Sequence, residues 1–195
     1  IKRLYTYQAA NGIYYHTSSL ANSAGDNSYR YAGSNPNNYV CFGSDVTPCP
    51  DDNLYRIIGI FGDEVKLIKW DYAKSNLLGN NGNFYNSSYT SVWWGSSSTY
   101  KGKLDQSTIP IYKWVTNNSN SWSSSYLNTI NLNQNYLNNI GSLWSDFISV
   151  HTWKIGEINY SYNNTVKSFF NVEIENTTNG TLYSAKIGLM YVSDY

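Results

Sequence analysis

The chain has 195 residues, with 13 basic and 13 acidic side chains and therefore no formal net charge at pH 7. Charged residues make up only 13% of the sequence and aromatic residues 17%, including 20 Tyr and 7 Trp. This composition excludes a basic nucleic-acid-binding surface, and no apolar run is long enough for a membrane-spanning helix. A polar, uncharged surface rich in Tyr, Ser and Asn is typical of binding loops.

We find no linker that divides the chain, so we predict a single extracellular domain over residues 1–195. Residues 1–20 begin with an N-terminal helix or linker, which ends at the turn signal Asn11-Gly12. The segment "GIYYH" that follows predicts a short strand. Residues 17–38 predict a polar loop with embedded tyrosines.

The only two cysteines, Cys41 and Cys49, come next. We expect a disulfide formed in an oxidising compartment. The alternatives are a zinc site shared with the two distant histidines, or two free thiols.

Carboxylates cluster around this loop at Asp45, Asp51 and Asp52. Aspartate oxygens on a loop are weak candidates for calcium ligands, although the EF-hand spacing is absent. The alternative is an ordinary turn before a strand, because Asp and Asn bond to their own backbone. We therefore assign no metal and no cofactor to the chain, with calcium as the alternative.

A β-hairpin is predicted for "LYRIIGIFGDEVKLIKWDY". Leu54, Arg56 and Ile58 alternate with the residues between them, and Gly62-Asp63 provides the turn. The apolar pattern continues after the turn as far as Trp70.

Residues 74–121 predict a long irregular loop, and such loops are usually functional or disordered. This one is rich in rings, so we expect it to be ordered and to face a ligand. Its ligand-binding candidates are Tyr85, Tyr89, Trp93, Trp94 and Tyr100.

Helical periodicity begins near Ser121 and predicts two or three short helices between Ser123 and Val150, with breaks near Asn133 and Gly141. Trp122, Trp144 and Trp153 are expected in the core. The segments "HTWKIGEI", "VKSFFNVEIE" and "LYSAKIGLMYV" then predict strands. The fold class is therefore α+β, with antiparallel hairpins and a central helical segment. Because the sequence closes on an apolar strand, we expect either a fragment truncated after 195 or a sheet that a partner completes.

Catalytic motifs are absent from the sequence. It has no G-x-S-x-G, H-E-x-x-H, G-x-x-x-x-G-K or G-x-G-x-x-G pattern. Glutamates are few, and Glu173 and Glu175 alternate on the predicted solvent face of a strand. We therefore predict a protein that is not an enzyme and has no catalytic residues.

Three segments, "NYVCFGSDVTPCPDDNLYRIIGIFGDEVKLIKWDYA", "WSSSYLNTINLNQNYLNNIGSLW" and "AKIGLMYVSDY", resemble a group of uncharacterised secreted or surface-anchored proteins of gut Firmicutes. That group is similar to the variable proteins of diversity-generating retroelements. The resemblance implies a C-type-lectin-like fold, and it implies that the segment most apt to bind ligand follows the last motif and is absent here.

Together these observations predict a recognition or adhesion module at the bacterial cell surface or outside the cell. Its partner would be a glycan or a protein on another surface, and we expect no nucleic acid and no membrane span. One alternative is a structural subunit of a filament or pilus, with neighbouring subunits as partners. A second alternative is a secreted carbohydrate-active enzyme.

Overall fold

The computed structural model describes residues 12–79, 121–155, 165–175 and 181–194. These residues divide between two compact units. The first unit draws its described residues from Ile1–Asp71, Thr152–Ser184 and Leu189–Tyr195, and the second draws them from Tyr72–His151 and Ala185–Gly188. The single domain over residues 1–195 stays a prediction.

The first unit contains a five-stranded antiparallel sheet that curls into a half-barrel. Its strands are β1 (Ile13–Tyr15), β2 (Tyr29–Tyr31), β3 (Tyr39–Cys41), β4 (Leu54–Phe61) and β5 (Glu64–Lys69). β5 pairs along β4 from Tyr55 to Phe61. β2 and β3 therefore share the other edge of β4, where β3 pairs with its first half and β2 with its second half.

The hairpin of β4 and β5 confirms the prediction, with the turn at Gly62-Asp63. A register shift between Ile57 and Gly59 interrupts the pairing. Gly59 is required here because a Cβ atom at this position would lie 2.3 Å from the Tyr29 carbonyl oxygen of β2. The predicted loop over 17–38 is wrong at β2, which pairs with both β1 and β4.

A second sheet has two strands, β6 (His151–Ile155) and β7 (Thr181–Ala185). β6 confirms the strand predicted at "HTWKIGEI". The strand predicted over "LYSAKIGLMYV" extends only to Ala185, and a 3₁₀ turn forms at Val192–Asp194. The apolar closing strand, which suggested completion by a partner, is therefore wrong.

The strand predicted at "VKSFFNVEIE" is also wrong, because this segment is helical. The α-helix Val166–Phe170 continues into a single π-helical turn, Asn171–Glu175. Thr165 and Ser168 form a capping box at its N-terminus, which satisfies backbone N–H groups that a helix start leaves unpaired. The helix packs against the 3₁₀ turn Val192–Asp194.

The described residues of the second unit are helical. They form a short α-helix Ser75–Leu78, a 3₁₀ turn Trp122–Ser124, a π-helix Leu127–Tyr136 with its α-helical extension Leu137–Asn139, and an α-helix Ser142–Ser145. The periodicity predicts the helices after Ser121, whereas the irregular loop predicted over 74–121 is wrong at Ser75–Leu78. Gly141, with φ +82°, separates the last two helices and confirms the predicted break.

The break predicted near Asn133 is wrong, because the π-helix runs through this residue. The Asn133 amide donates to the Ile187 carbonyl at 3.0 Å, and its oxygen accepts from the Ile187 N–H at 3.0 Å. Asn131 and Asn135 both donate to the Leu78 carbonyl. Asn131 and Asn135 thus bind backbone outside the helix, whereas the Asn133 amide also donates to the Asn128 carbonyl of the same helix at 3.1 Å.

The tryptophans predicted in the core differ in burial. Trp122 is buried, whereas Trp144 and Trp153 are half-buried. The chain is thus a mixed helical and antiparallel-sheet protein with one disulfide, which confirms the α+β fold class. The C-type-lectin-like fold stays a prediction.

Candidate functional site

The disulfide between Cys41 and Cys49 is present, with the two Cα atoms 5.7 Å apart. This confirms the prediction and excludes the zinc and free-thiol alternatives for this pair. Cys41 is the last residue of β3, and its Cα pairs with Leu54 at the start of β4. The bridge therefore closes a small loop directly beside the sheet.

An exposed aromatic surface lies on the same part of the sheet. Tyr39 and Arg56 are cross-strand partners on β3 and β4. Trp70 follows β5, and its N–H donates to the Leu54 carbonyl at 3.0 Å. The Tyr39 and Trp70 rings meet edge to face with centroids 5.1 Å apart, and the residues are 39% and 48% exposed. We call Tyr39, Arg56 and Trp70 the aromatic platform.

Arg56 is the cation of the platform. Its guanidinium carbon lies 4.8 Å from the Tyr39 ring centroid and 5.2 Å from that of Trp70. Nε donates to the Asn38 side-chain oxygen at 2.8 Å, and Nη2 donates to the Pro36 carbonyl at 3.0 Å. Within the described residues, Arg56 forms no ion pair with a carboxylate. In the described part of the chain, its guanidinium therefore contacts neutral oxygens and ring faces.

A second group of charged residues in the same unit is buried at Arg30, Glu173 and Asp194 and half-buried at Asp26 and Lys66. We call Asp26, Arg30, Lys66, Glu173 and Asp194 the buried ionic cluster. Arg30 in β2 is 4% exposed, and its Nη2 lies 2.6 Å from Asp26. Its Nε donates to the Ser28 hydroxyl at 2.8 Å, and its Nη1 donates to the Ser193 carbonyl at 2.6 Å.

Glu173 and Lys66 bind the segment 191–194, which includes the cluster residue Asp194. Both Glu173 carboxylate oxygens accept backbone N–H groups, from Val192 at 2.8 Å and from Ser193 at 2.9 Å. Asp194 lies 2.5 Å from the Lys66 ammonium and also accepts the Tyr191 N–H. The predicted solvent-facing strand position of Glu173 is therefore wrong, because its carboxylate is needed to satisfy this backbone.

Burial and neighbouring charges shift several pKa values around the cluster. Burial lowers the pKa of Lys66, with Asp194 opposing that effect. Burial also raises the pKa of Tyr191, although the Lys154 N–H that donates to its hydroxyl acts in the opposite direction. For Asp26, burial acts to raise the pKa, but the Ser28 hydrogen bonds and Arg30 outweigh it and the pKa is lowered.

His16 lies beside this cluster and is buried. Burial lowers its pKa, Arg30 lowers it further, and Asp26 opposes both. The Ala24 N–H donates to His16 Nδ1 at 3.2 Å, which requires this nitrogen to be unprotonated. The carboxylates and cations of the cluster thus pair with one another or with backbone groups. This arrangement suits a structural role more than chemistry on a substrate.

The predicted ligand-binding residues Tyr85, Tyr89, Trp93, Trp94 and Tyr100 lie outside the described residues. Of the weak calcium candidates, Asp51 and Asp52 belong to the 3₁₀ turn Asp51–Asn53, and Asp45 is exposed in the disulfide loop. The described part of the chain contains no group of three or more His, Cys, Asp or Glu that could hold a metal ion. The calcium alternative has no geometric support there.

Sequence reasoning missed the aromatic platform. In the sequence, Trp70 continues the apolar pattern of the hairpin, and Arg56 is one member of an alternating strand. The available signal was the register of the hairpin, because the alternation that includes Arg56 places it on one face with residues across β5. The β3 partner Tyr39 carried no comparable signal.

Comparison of the chain with protein-family models, with curated proteins and with solved structures finds no match. In the described ranges, none of the helices has the length and apolar character needed to cross a bilayer.

Proposed function

We propose that this protein is a non-enzymatic recognition or adhesion module of a bacterial surface, and that the aromatic platform contacts its ligand. The observation that carries this proposal is the exposed arrangement of Tyr39, Arg56 and Trp70. Trp, Tyr and Arg are the residues that most often dominate binding energy at recognition surfaces. The ligand would be a glycan or a protein on another surface.

Two further features support the proposal. The Cys41–Cys49 disulfide begins two residues after Tyr39 on β3 and suits an oxidising extracellular location. The chain carries little charge and many Asn, Ser and Tyr residues, which favour adaptable contacts over electrostatic steering. The resemblance to surface proteins with a C-type-lectin-like fold supports the same class of function.

Binding of the labelled protein to a glycan array and to bacterial and host cell surfaces tests the proposal. Trp70→Ala is expected to weaken binding roughly 30-fold, the equivalent of about 2 kcal/mol for a dominant aromatic contact. Phe147→Ala is the matched control, because Phe147 is 74% exposed and belongs to the second unit. Binding that survives both Trp70→Ala and Tyr39→Ala would contradict the proposal, as would turnover of a substrate.

A further inference from the structure

We propose that the aromatic platform recognises a sugar that carries a carboxylate. The sugar ring would pack against Trp70, and the carboxylate would pair with the Arg56 guanidinium. This inference rests on the proposed function, because it names the ligand class of the same site.

Charge complementarity is the first argument. Three other cations of the first unit have carboxylate partners: Arg30 with Asp26, Lys66 with Asp194, and Lys167 with Glu175. Arg56 has none among the described residues, although it lies beside two exposed rings. An anion is the group that would complete its environment, and a planar carboxylate matches the guanidinium fork.

The position of Arg56 is fixed without any ligand. Asn38, whose side-chain oxygen accepts the hydrogen bond from Arg56 Nε, is buried. The Asn38 amide NH₂ donates to the Ile57 carbonyl at 2.8 Å. The Ile57 N–H donates back to the Asn38 carbonyl at 2.9 Å. Strand β4 therefore holds Asn38, and Asn38 holds one edge of the guanidinium. A fixed cation loses little conformational entropy when an anion binds.

The dimensions and borders of the platform favour a sugar over a larger partner. It offers two rings and one cation, and the exposed Asn35 borders it with its side-chain oxygen 3.5 Å from Arg56 Nη2. A stable protein interface buries about 800 Å² on each partner, far more than two half-exposed rings provide. The C–H face of a sugar packs on an aromatic ring, while its hydroxyl groups bond to amides. Nucleic acid is disfavoured because the chain has no net positive charge.

Two matched pairs of oligosaccharides test the inference by titration calorimetry. The first pair is 3′-sialyllactose and its methyl ester, and the second is a hyaluronan tetrasaccharide and its carboxyl-reduced form. The protein is expected to bind the carboxylated member of at least one pair at least ten-fold more tightly. Arg56→Gln should remove that preference, whereas Arg56→Lys should restore part of it because the charge returns without the fork. Unfolding curves of both variants check that the fold is retained.

The outcomes separate this inference from the proposed function. Equal affinity within both pairs, or a preference that survives Arg56→Gln, overturns the proposal that Arg56 recognises a carboxylate. If Trp70→Ala still abolishes binding in that case, the recognition function stands. If the protein binds only protein-coated surfaces and Trp70→Ala abolishes this binding, the sugar ligand is overturned and the proposed recognition function stands. Binding that no platform variant changes overturns both.

Discussion

Two arginines of the same sheet lie in opposite environments. Arg30 on β2 and Arg56 on β4 each place a guanidinium over two aromatic rings, Phe61 and Phe170 for Arg30 and the platform rings for Arg56. Arg30 is buried with a carboxylate, a hydroxyl and a backbone carbonyl as partners. Arg56 is half-buried, and its hydrogen-bond partners among the described residues are neutral oxygens.

The difference shows what burial requires. A buried cation without a counter-charge is strongly destabilising, so Arg30 needs Asp26 and the surrounding acceptors for the sheet to fold around it. A partly exposed cation is solvated and needs no such partner. Arg56 can therefore keep an uncompensated charge for a ligand, while Arg30 serves to hold Ser193 and the turn around it.

Removal of each arginine is the strongest way to break this comparison. Arg30→Ala is expected to destabilise the protein by about 3–5 kcal/mol, because it leaves the Asp26 carboxylate part-buried and the Ser193 carbonyl without its donor. Arg56→Ala, the matched change, should cost about 1–2 kcal/mol, because it leaves only the buried Asn38 side-chain oxygen without its donor. Urea unfolding of both variants measures the difference. Equal losses would show that the two environments are energetically alike.

The glutamates at the end of the helical segment offer a second pair. Glu173→Gln should cost about 3 kcal/mol, because one acceptor is replaced by an NH₂ group that faces a backbone N–H. Hydrogen exchange at Val192 and Ser193 should accelerate together. Glu175→Gln is the control, since Glu175 is 57% exposed and lies 3.8 Å from Lys167. A change of about 0.5 kcal/mol or less is expected there.

The Cys41–Cys49 disulfide tests the region of the sheet that carries Arg56. The chain-entropy model gives about 2–3 kcal/mol for a crosslink between residues separated by eight positions. Replacing Cys41 and Cys49 with Ser should lower the free energy of unfolding by that amount and leave the Glu173 contacts intact. Chemical denaturation with hydrogen exchange at Val192 checks both expectations, and loss of protection at Val192 would contradict the second.

These environments were unequally predictable from sequence. The β4–β5 hairpin follows from alternation around Gly62-Asp63, because a half-buried hairpin leaves a period of two in the sequence. β2 left no such signal: its central residue is an arginine, and one of the acceptors that allow its burial is Ser193, 163 positions away. The prediction for Glu173 was wrong for the same reason, since the backbone N–H groups that bind its carboxylate are 19 and 20 positions away.

The candidate site shows the same limit. The Cys41–Cys49 disulfide was predictable because the evidence for it is local in the sequence. The two cysteines are separated by eight positions, and the two histidines that a zinc site would need are far away. The platform depends on register between three strands, and the β3–β4 pairing was not predicted. Trp70 was visible in the sequence, but its approach to Arg56 and Tyr39 required the fold.

The smallest expected effect concerns pH and separates the two arginines once more. Because the folded-state pKa of His16 lies below its usual value of 6.5, its contribution to stability is present above pH 6.5 and is lost as the pH falls through the lowered value. Asp26, also lowered from its usual 3.8, adds a loss in more acidic solution. His16→Asn keeps an acceptor near the Ala24 N–H but cannot take up a proton, so it should flatten the decline that begins near pH 6.5. Arg56→Gln should leave that decline unchanged, because His16 has Arg30 and not Arg56 among the charges that shift its pKa. Thermal unfolding midpoints between pH 4 and 8 measure both curves, and a His16→Asn variant that declines like the wild type would assign the acid sensitivity to another group.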